Sequence, residues 1–133
     1  MSIKTRAKTP TLLFSLVFWG TTTHAAPGDS MALARDFATC QGRYAAQVDY
    51  DRLMGREIDK SAAAAKMFEQ MPDAVAPTDP DARKEIHTSQ QGALGVHWNL
   101  LHSADFSADD RLARHARDRA AHHIRMCETL VLG

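Results

Sequence analysis

Histidine is the residue type in this chain with the widest range of chemistry, because neutral imidazole binds metal ions and haem iron and titrates near neutral pH. The chain has seven histidines, and His24 lies in its N-terminal segment. The others are His87, His97, His102, His115, His122 and His123. A metal site on one helix needs ligands three or four residues apart, and no two of these histidines have that spacing. The sequence therefore does not predict a metal site within a single helix.

A site between helices needs no such spacing. His97 in a third predicted helix could meet His122 or His123 in a fourth, or one of these histidines could ligate a b-type haem together with Met31 across a helical bundle. The opposing interpretation is structural, with His97 half-buried beside Trp98 and the other histidines solvated. The metal ligands are therefore unassigned, and the candidates are His97, His122, His123 and Met31. No cofactor is predicted.

The two cysteines, Cys40 and Cys127, carry a different chemistry. Their separation excludes the Cys-x-x-Cys motif of thiol–disulfide oxidoreductases and the Cys-x-x-Cys-His motif of c-type haem attachment. The sequence also has no glycine-rich phosphate loop, no nucleophile elbow and no nucleophile with a recognisable base, so no enzymatic activity is predicted. In an oxidising compartment a lone pair of cysteines joins where geometry allows, and we predict a Cys40–Cys127 disulfide.

The compartment is indicated by the N-terminus. Three basic residues within the first eight positions precede an apolar run over 11–20, and small residues surround a cut after Ala25, which is the pattern of a secretory signal peptide. The run is about half of the roughly 20 residues that span a membrane. We therefore predict a cleavable signal peptide over 1–25 and a mature domain over 26–133 with no membrane anchor. Export through the inner membrane would bring it to the periplasm, with release from the cell as the alternative.

Removal of the signal peptide changes the charge balance. The chain has 16 basic and 16 acidic residues, and loss of three basic ones leaves 13 against 16, a net charge of −3. Such a balance excludes the concentrated basic face of a nucleic-acid-binding protein. The arginines near the C-terminus alternate with acidic residues, which is typical of a solvated helix face. Neither nucleic acid nor a membrane surface is predicted as a partner.

The apolar residues of the mature chain recur at the helical steps of three and four, without the alternation of strands. Four helices are predicted, at about 30–54, 57–71 and 80–104, and from a cap at 107 to about 131. Pro72 is expected to end the second helix, and Asp79 to cap the third ahead of Pro80. A capping box of Ser107 and Asp110 is expected to open the fourth.

These helices with short connections predict an all-α fold, an antiparallel four-helix up-and-down bundle. Helices one and four are then antiparallel neighbours that the disulfide joins, and the bond places Tyr44 near His123. Gly92 and Gly95 lie inside the third helix without a preceding strand, so they do not form a phosphate site. We expect them to let a neighbouring helix approach closely.

Three segments support a family resemblance. They are Cys40-x-Gly42-Arg43-Tyr44-x-Ala46, Phe106-Ser107 and Cys127-x-x-Leu130-x-Leu132-Gly133. The arrangement resembles a set of small, uncharacterised exported helical proteins of alphaproteobacteria, in which a Cys-x-Gly-Arg segment follows a signal peptide and a second cysteine lies near the C-terminus. The resemblance covers most of the mature chain and implies an exported helical protein, with no activity to carry over.

The function predicted from these features is reached by elimination. We expect a small exported, periplasmic protein that binds or interacts with a partner, which could be a protein, and that is not an enzyme. The alternative is a haem- or metal-binding four-helix bundle that uses the candidate histidines and Met31.

Overall fold

A computed structural model of the chain describes residues 27–132. Its four helices are α1, Pro27–Leu53; α2, Asp59–Val75; α3, Pro80–Phe106; and α4, Asp110–Leu132. The predicted signal peptide, residues 1–25, lies outside the described residues. Among the helices that are described, none has the length and apolar character needed to cross a membrane.

The local sequence explains how α2 and α3 begin and end. Asp79 caps α3 as predicted, because its carboxylate accepts a hydrogen bond from the backbone N–H of Ala82 at 3.0 Å and Pro80 follows at the first helical position. The predicted stop at Pro72 is wrong, since α2 continues to Val75. A proline in the last turn removes only one helical N–H bond, and the carbonyl of Pro72 still accepts the bond that closes the helix.

The capping box predicted at Ser107 and Asp110 is also wrong. Asp109 caps α4, because its carboxylate accepts hydrogen bonds from the backbone N–H groups of Arg111 at 2.8 Å and Leu112 at 3.2 Å. Ser107 instead follows the last turn of α3, and its hydroxyl accepts a hydrogen bond from the N–H of Asp109 at 3.2 Å. The residue directly before the first helical position is the one whose carboxylate reaches the unpaired amides.

The helices form the predicted four-helix bundle, with α1 at its centre. α1 packs against all three other helices and most extensively against α3. These two helices run parallel, since Arg35 pairs with Glu85 at 2.9 Å and Tyr50 donates to Asp105 at 2.9 Å further along both. α2 packs mainly on α1, whereas α4 packs on α3 and, to a smaller extent, on α1.

Small residues on α1 allow its close contact with α3. They recur at steps of four and are all buried: Ala34, Ala38, Gly42 and Ala46. A Cβ added at Gly42 would overlap the carbonyl oxygen of Gln90 and would lie 3.0 Å from the backbone nitrogen of Leu94. The expectation for Gly92 and Gly95 is wrong, because a Cβ added at either meets nothing within 4 Å. The close approach is made at Gly42 instead.

The predicted disulfide joins α1 and α4, with the Cα atoms of Cys40 and Cys127 5.5 Å apart. Both cysteines are buried in the apolar cluster that contains Tyr44 and Phe68. The rings of these two aromatic residues stack with their centroids 5.6 Å apart, which attaches α2 to α1. Arg43, the residue before Tyr44, donates a hydrogen bond from its guanidinium to the carbonyl of His123 at 3.2 Å. This contact agrees with the predicted register of α1 and α4, which places Tyr44 near His123.

Candidate binding groove and buried histidine pair

An apolar groove of about 680 Å³ lies between α2 and α4. It exists because these two helices have at most a minor contact with each other. Its floor is formed by Tyr44 and Gln47 of α1 together with Cys127. One wall is formed by residues of α2, namely Lys60, Ser61, Ala64, Met67 and Phe68. The other wall is formed by residues of α4, namely Ala121, Ile124, Arg125, Glu128, Val131 and Leu132.

The groove has a polar end and an apolar end. Both walls run antiparallel to α1, so residues early in α2 and α4 share one end of the groove and residues late in them share the other. Lys60 lies at the first end, with Gln47 of the floor. Met67 and Leu132 lie at the second end and are 41% and 83% exposed. A molecule that covered this second end would remove large apolar side chains from water.

The charged residues of the lining stand on both walls. Lys60 on α2 and Arg125 on α4 form no ion pair with any residue in the described part of the chain. Glu128 is the acidic residue of the lining, one turn after Arg125 toward the apolar end. The lining therefore carries two cations and one anion.

Tyr44 supplies a polar group in the floor of the groove. Its side chain is 6% exposed, and its hydroxyl makes no hydrogen bond to the residues that the structure describes. Burial, and then the Glu128 carboxylate, raise the pKa of Tyr44 above its ordinary value. The hydroxyl therefore stays protonated and can donate a hydrogen bond to a bound molecule.

A buried histidine of α3 reaches Gln47, which is also part of the floor of the groove. His97 is 0% exposed, and its Nε2 lies 3.0 Å from Oε1 of Gln47. The amide nitrogen of Gln47 donates to Asp51 at 2.7 Å. Because this arrangement turns the amide oxygen of Gln47 toward His97, the histidine carries its proton on Nε2. Its Nδ1 is buried and has no hydrogen-bond partner.

His123 lies beside His97, with the two ring centroids 5.9 Å apart. Its Nδ1 is also buried and unpartnered. Burial, followed by the charges of His123 and Arg43, lowers the pKa of His97 to about 4. Burial and the Arg43 guanidinium also lower the pKa of His123. Two of the candidate ligands are thus brought together as neutral imidazoles.

The other two candidate ligands lie elsewhere. His122 is exposed on α4. Met31 packs on the cluster of Ala34, Ala38 and Ile86 near the start of α1, about 24 Å along the helix axis from Gln47 at roughly 1.5 Å per residue. Within residues 27–132, no group of three His, Cys, Asp or Glu side chains is placed to hold a metal ion. The interpretation of His97 as half-buried is wrong, since its side chain is fully enclosed.

Sequence reasoning missed the polar partners of these sites. Gln47 and Asp51 have the helical spacing of four residues that could have identified them as a pair, whereas no sequence signal points to the Tyr44 hydroxyl as a group that lines a groove. No protein-family model, curated protein or solved structure matches this chain. The groove and the histidine pair are therefore interpreted from their own chemistry.

The buried His97 should make the fold sensitive to mild acid. Its pKa is about 4 in the folded chain and near 6.5 when exposed, so the unfolded chain binds more protons between these values. The free energy of unfolding therefore keeps the full contribution of the neutral His97 above pH 6.5 and falls as the pH is lowered toward 4. The expected loss is about 2 to 3 kcal/mol between pH 7.5 and 4.5. The measurement is the free energy of unfolding in denaturant at both pH values.

The matched variants are His97→Leu and His87→Leu, the second on the exposed face of the same helix. His97→Leu removes the titrating group. The free energy of unfolding of this variant should therefore fall between the two pH values by about 2 kcal/mol less than that of the parent. His87→Leu should behave like the parent. An equal acid response in His97→Leu and the parent would contradict the assignment.

Proposed function

We propose that this chain is a small exported, periplasmic binding protein without enzymatic activity, whose site is the groove between α2 and α4. The proposed ligand is a small molecule with an apolar part. Export is supported by the N-terminal pattern and by the buried disulfide, which suits an oxidising compartment. The observation that carries the proposal is the groove, whose volume of about 680 Å³ lies in the usual range of small-molecule sites.

The chemistry of the groove supports an apolar ligand. Phe68 in one wall is stacked on Tyr44 in the floor, and Ile124 packs on the same cluster from the other wall. Val131 and Leu132 are 38% and 83% exposed at the edge of the groove. Contiguous exposed apolar side chains next to a concave surface are typical of binding sites, because their burial in a complex is favourable.

A fluorescent apolar probe tests the proposal. The parent should bind N-phenyl-1-naphthylamine with an increase in emission, as the dye moves from water into the groove. Ala64→Trp places an indole in the groove and should weaken binding by at least about tenfold, which corresponds to about 1.4 kcal/mol. Ala63→Trp, on the exposed face of the same helix, is the matched control and should bind like the parent.

Circular dichroism should show equal helix content in the parent and the two variants. If the parent does not bind the probe, or if the two tryptophan variants bind it equally, the groove is not the site. The comparison separates a specific site from adsorption to exposed apolar side chains, because both variants add the same side chain.

A second candidate function, metal binding, is favoured by the two buried and unpartnered Nδ1 atoms of His97 and His123. Neutral imidazole suits zinc and copper ions. The guanidinium of Arg43 lies near both rings and opposes a cation there, which ranks this candidate below the groove. Metal content and an absorbance spectrum of protein purified from its native periplasm test it. Stoichiometric metal that is lost in His123→Phe would establish a metal site, and a Soret band would establish haem.

A further inference from the structure

We infer that the groove ligand is a single-chain amphiphile with an anionic head group, such as a fatty acid. Its head lies toward Lys60 and its chain extends past Phe68 toward Leu132. This inference rests on the proposed function, and it adds the class of ligand and the direction in which the ligand lies.

The direction follows from the two ends of the groove. Lys60 stands at the end where α2 begins, and the lining residues Met67 and Leu132 stand at the end where α4 finishes. The α4 wall extends from Ala121 to Leu132, about 16 Å along the helix axis. The groove is therefore elongated and changes from polar to apolar along its length. A single-chain amphiphile has the matching form, because a polar head group is followed by a long apolar chain.

The charge of the head group follows from the lining. Lys60 and Arg125 face the groove from opposite walls, and neither forms an ion pair with a residue that the structure describes. Glu128 stands one turn beyond Arg125, toward the apolar end, and the acidic residues next to Lys60 along the chain, Glu57 and Asp59, are exposed outside the lining. An anionic head would pair with two cations, whereas an ammonium head would be repelled by both.

The Tyr44 hydroxyl is the second, independent observation. It belongs to a side chain that is more than nine-tenths buried, it lines the groove and it has no partner within residues 27–132. Because no residue within 27–132 accepts a hydrogen bond from this hydroxyl, it is available to donate one to a molecule in the groove. A carboxylate head group accepts hydrogen bonds only, so it complements a hydroxyl donor in the floor of the groove.

The experiment compares three ligands that share one alkyl chain: dodecanoate, dodecanol and dodecyltrimethylammonium. Each displaces N-phenyl-1-naphthylamine from the oxidised protein at neutral pH and low salt. Dodecanoate should bind about tenfold more tightly than dodecanol, the factor expected from two exposed ion pairs, and dodecyltrimethylammonium should bind most weakly. The double variant Lys60→Gln/Arg125→Gln should lose this preference for the anion while binding dodecanol as the parent does.

The matched control is Lys66→Gln/Arg119→Gln, which removes the same charges from exposed positions on the same two helices outside the groove. It should retain the preference for dodecanoate. Equal binding of the three ligands to the parent, or a preference that survives Lys60→Gln/Arg125→Gln, would overturn the inference and leave the proposed function standing. If none of the three ligands displaces the probe, or if the parent never binds the probe, the proposed function falls as well.

Discussion

Replacing Gly42 with alanine should lower the free energy of unfolding by about 3 kcal/mol, one of the two largest effects expected of a substitution in this protein. The added Cβ would overlap the carbonyl oxygen of Gln90, which belongs to the backbone of α3 and cannot turn away as a side chain would. Either α1 and α3 separate along their whole contact or the backbone distorts. Thermal unfolding followed by circular dichroism should show a midpoint lowered by more than about 10 °C.

The control is the same substitution at Gly92, inside α3, where an added Cβ meets nothing within 4 Å. There alanine should stabilise the fold by about 0.5 to 1 kcal/mol, because glycine is the poorer helix former and its unfolded state is more flexible. Two identical substitutions in adjacent helices should thus have effects of opposite sign. A Gly42→Ala protein as stable as the parent would show that α1 and α3 do not touch at this position.

Removal of the disulfide is the second large effect. The bond closes a loop with a sequence separation of 87 residues, and the loop-entropy model gives about 4 to 5 kcal/mol for such a loop. A small domain has a total stability of about 5 to 15 kcal/mol, so Cys40→Ala/Cys127→Ala should be close to unfolding at physiological temperature. Denaturant unfolding of the parent and the double variant, each with and without dithiothreitol, measures the loss.

Dithiothreitol should destabilise the parent and leave the double variant unchanged, which separates the cross-link from other effects of reduction. Thiol titration of the unfolded, unreduced parent gives a direct check, because both cysteines are in the bond and no thiol should react. Two reactive thiols in that titration would refute the disulfide.

The bundle could be predicted because its helices are specified by local signals. These are the helical periodicity of the apolar residues and the proline and aspartate residues at helix ends. Asp79 caps α3 through an amide three residues away, and Cys40 and Cys127 both lie on apolar stripes of helices that an up-and-down topology makes neighbours. The wrong predictions of a helix end at Pro72 and a cap at Ser107 also come from such local signals. Several residues near a helix end can stop or cap it, and the choice depends on a hydrogen bond that the sequence alone does not specify.

The groove and the close contact at Gly42 could not be predicted in this way. Periodicity identifies the apolar face of a helix but not its distance from a neighbour, which depends on the sizes of the side chains between them. The recurrence of Ala34, Ala38 and Gly42 at steps of four was visible in the sequence, yet its consequence is non-local. Because α1 packs so closely on α3, α2 and α4 come to lie apart, and the space between them is the groove.

The attachment of α2 through a single neighbour also has a consequence for how the molecule moves. Local unfolding costs the least free energy where the fewest contacts are lost. Helix α2 packs mainly on α1. Helices α1, α3 and α4, in contrast, all contact one another, and the disulfide joins α4 to α1. Backbone amides of α2 should therefore exchange their hydrogen with solvent sooner than those of α3. The helix that forms one wall of the groove is then the one that can lift away while the rest of the fold stays intact, and the rates of ligand entry and release would follow the opening of α2.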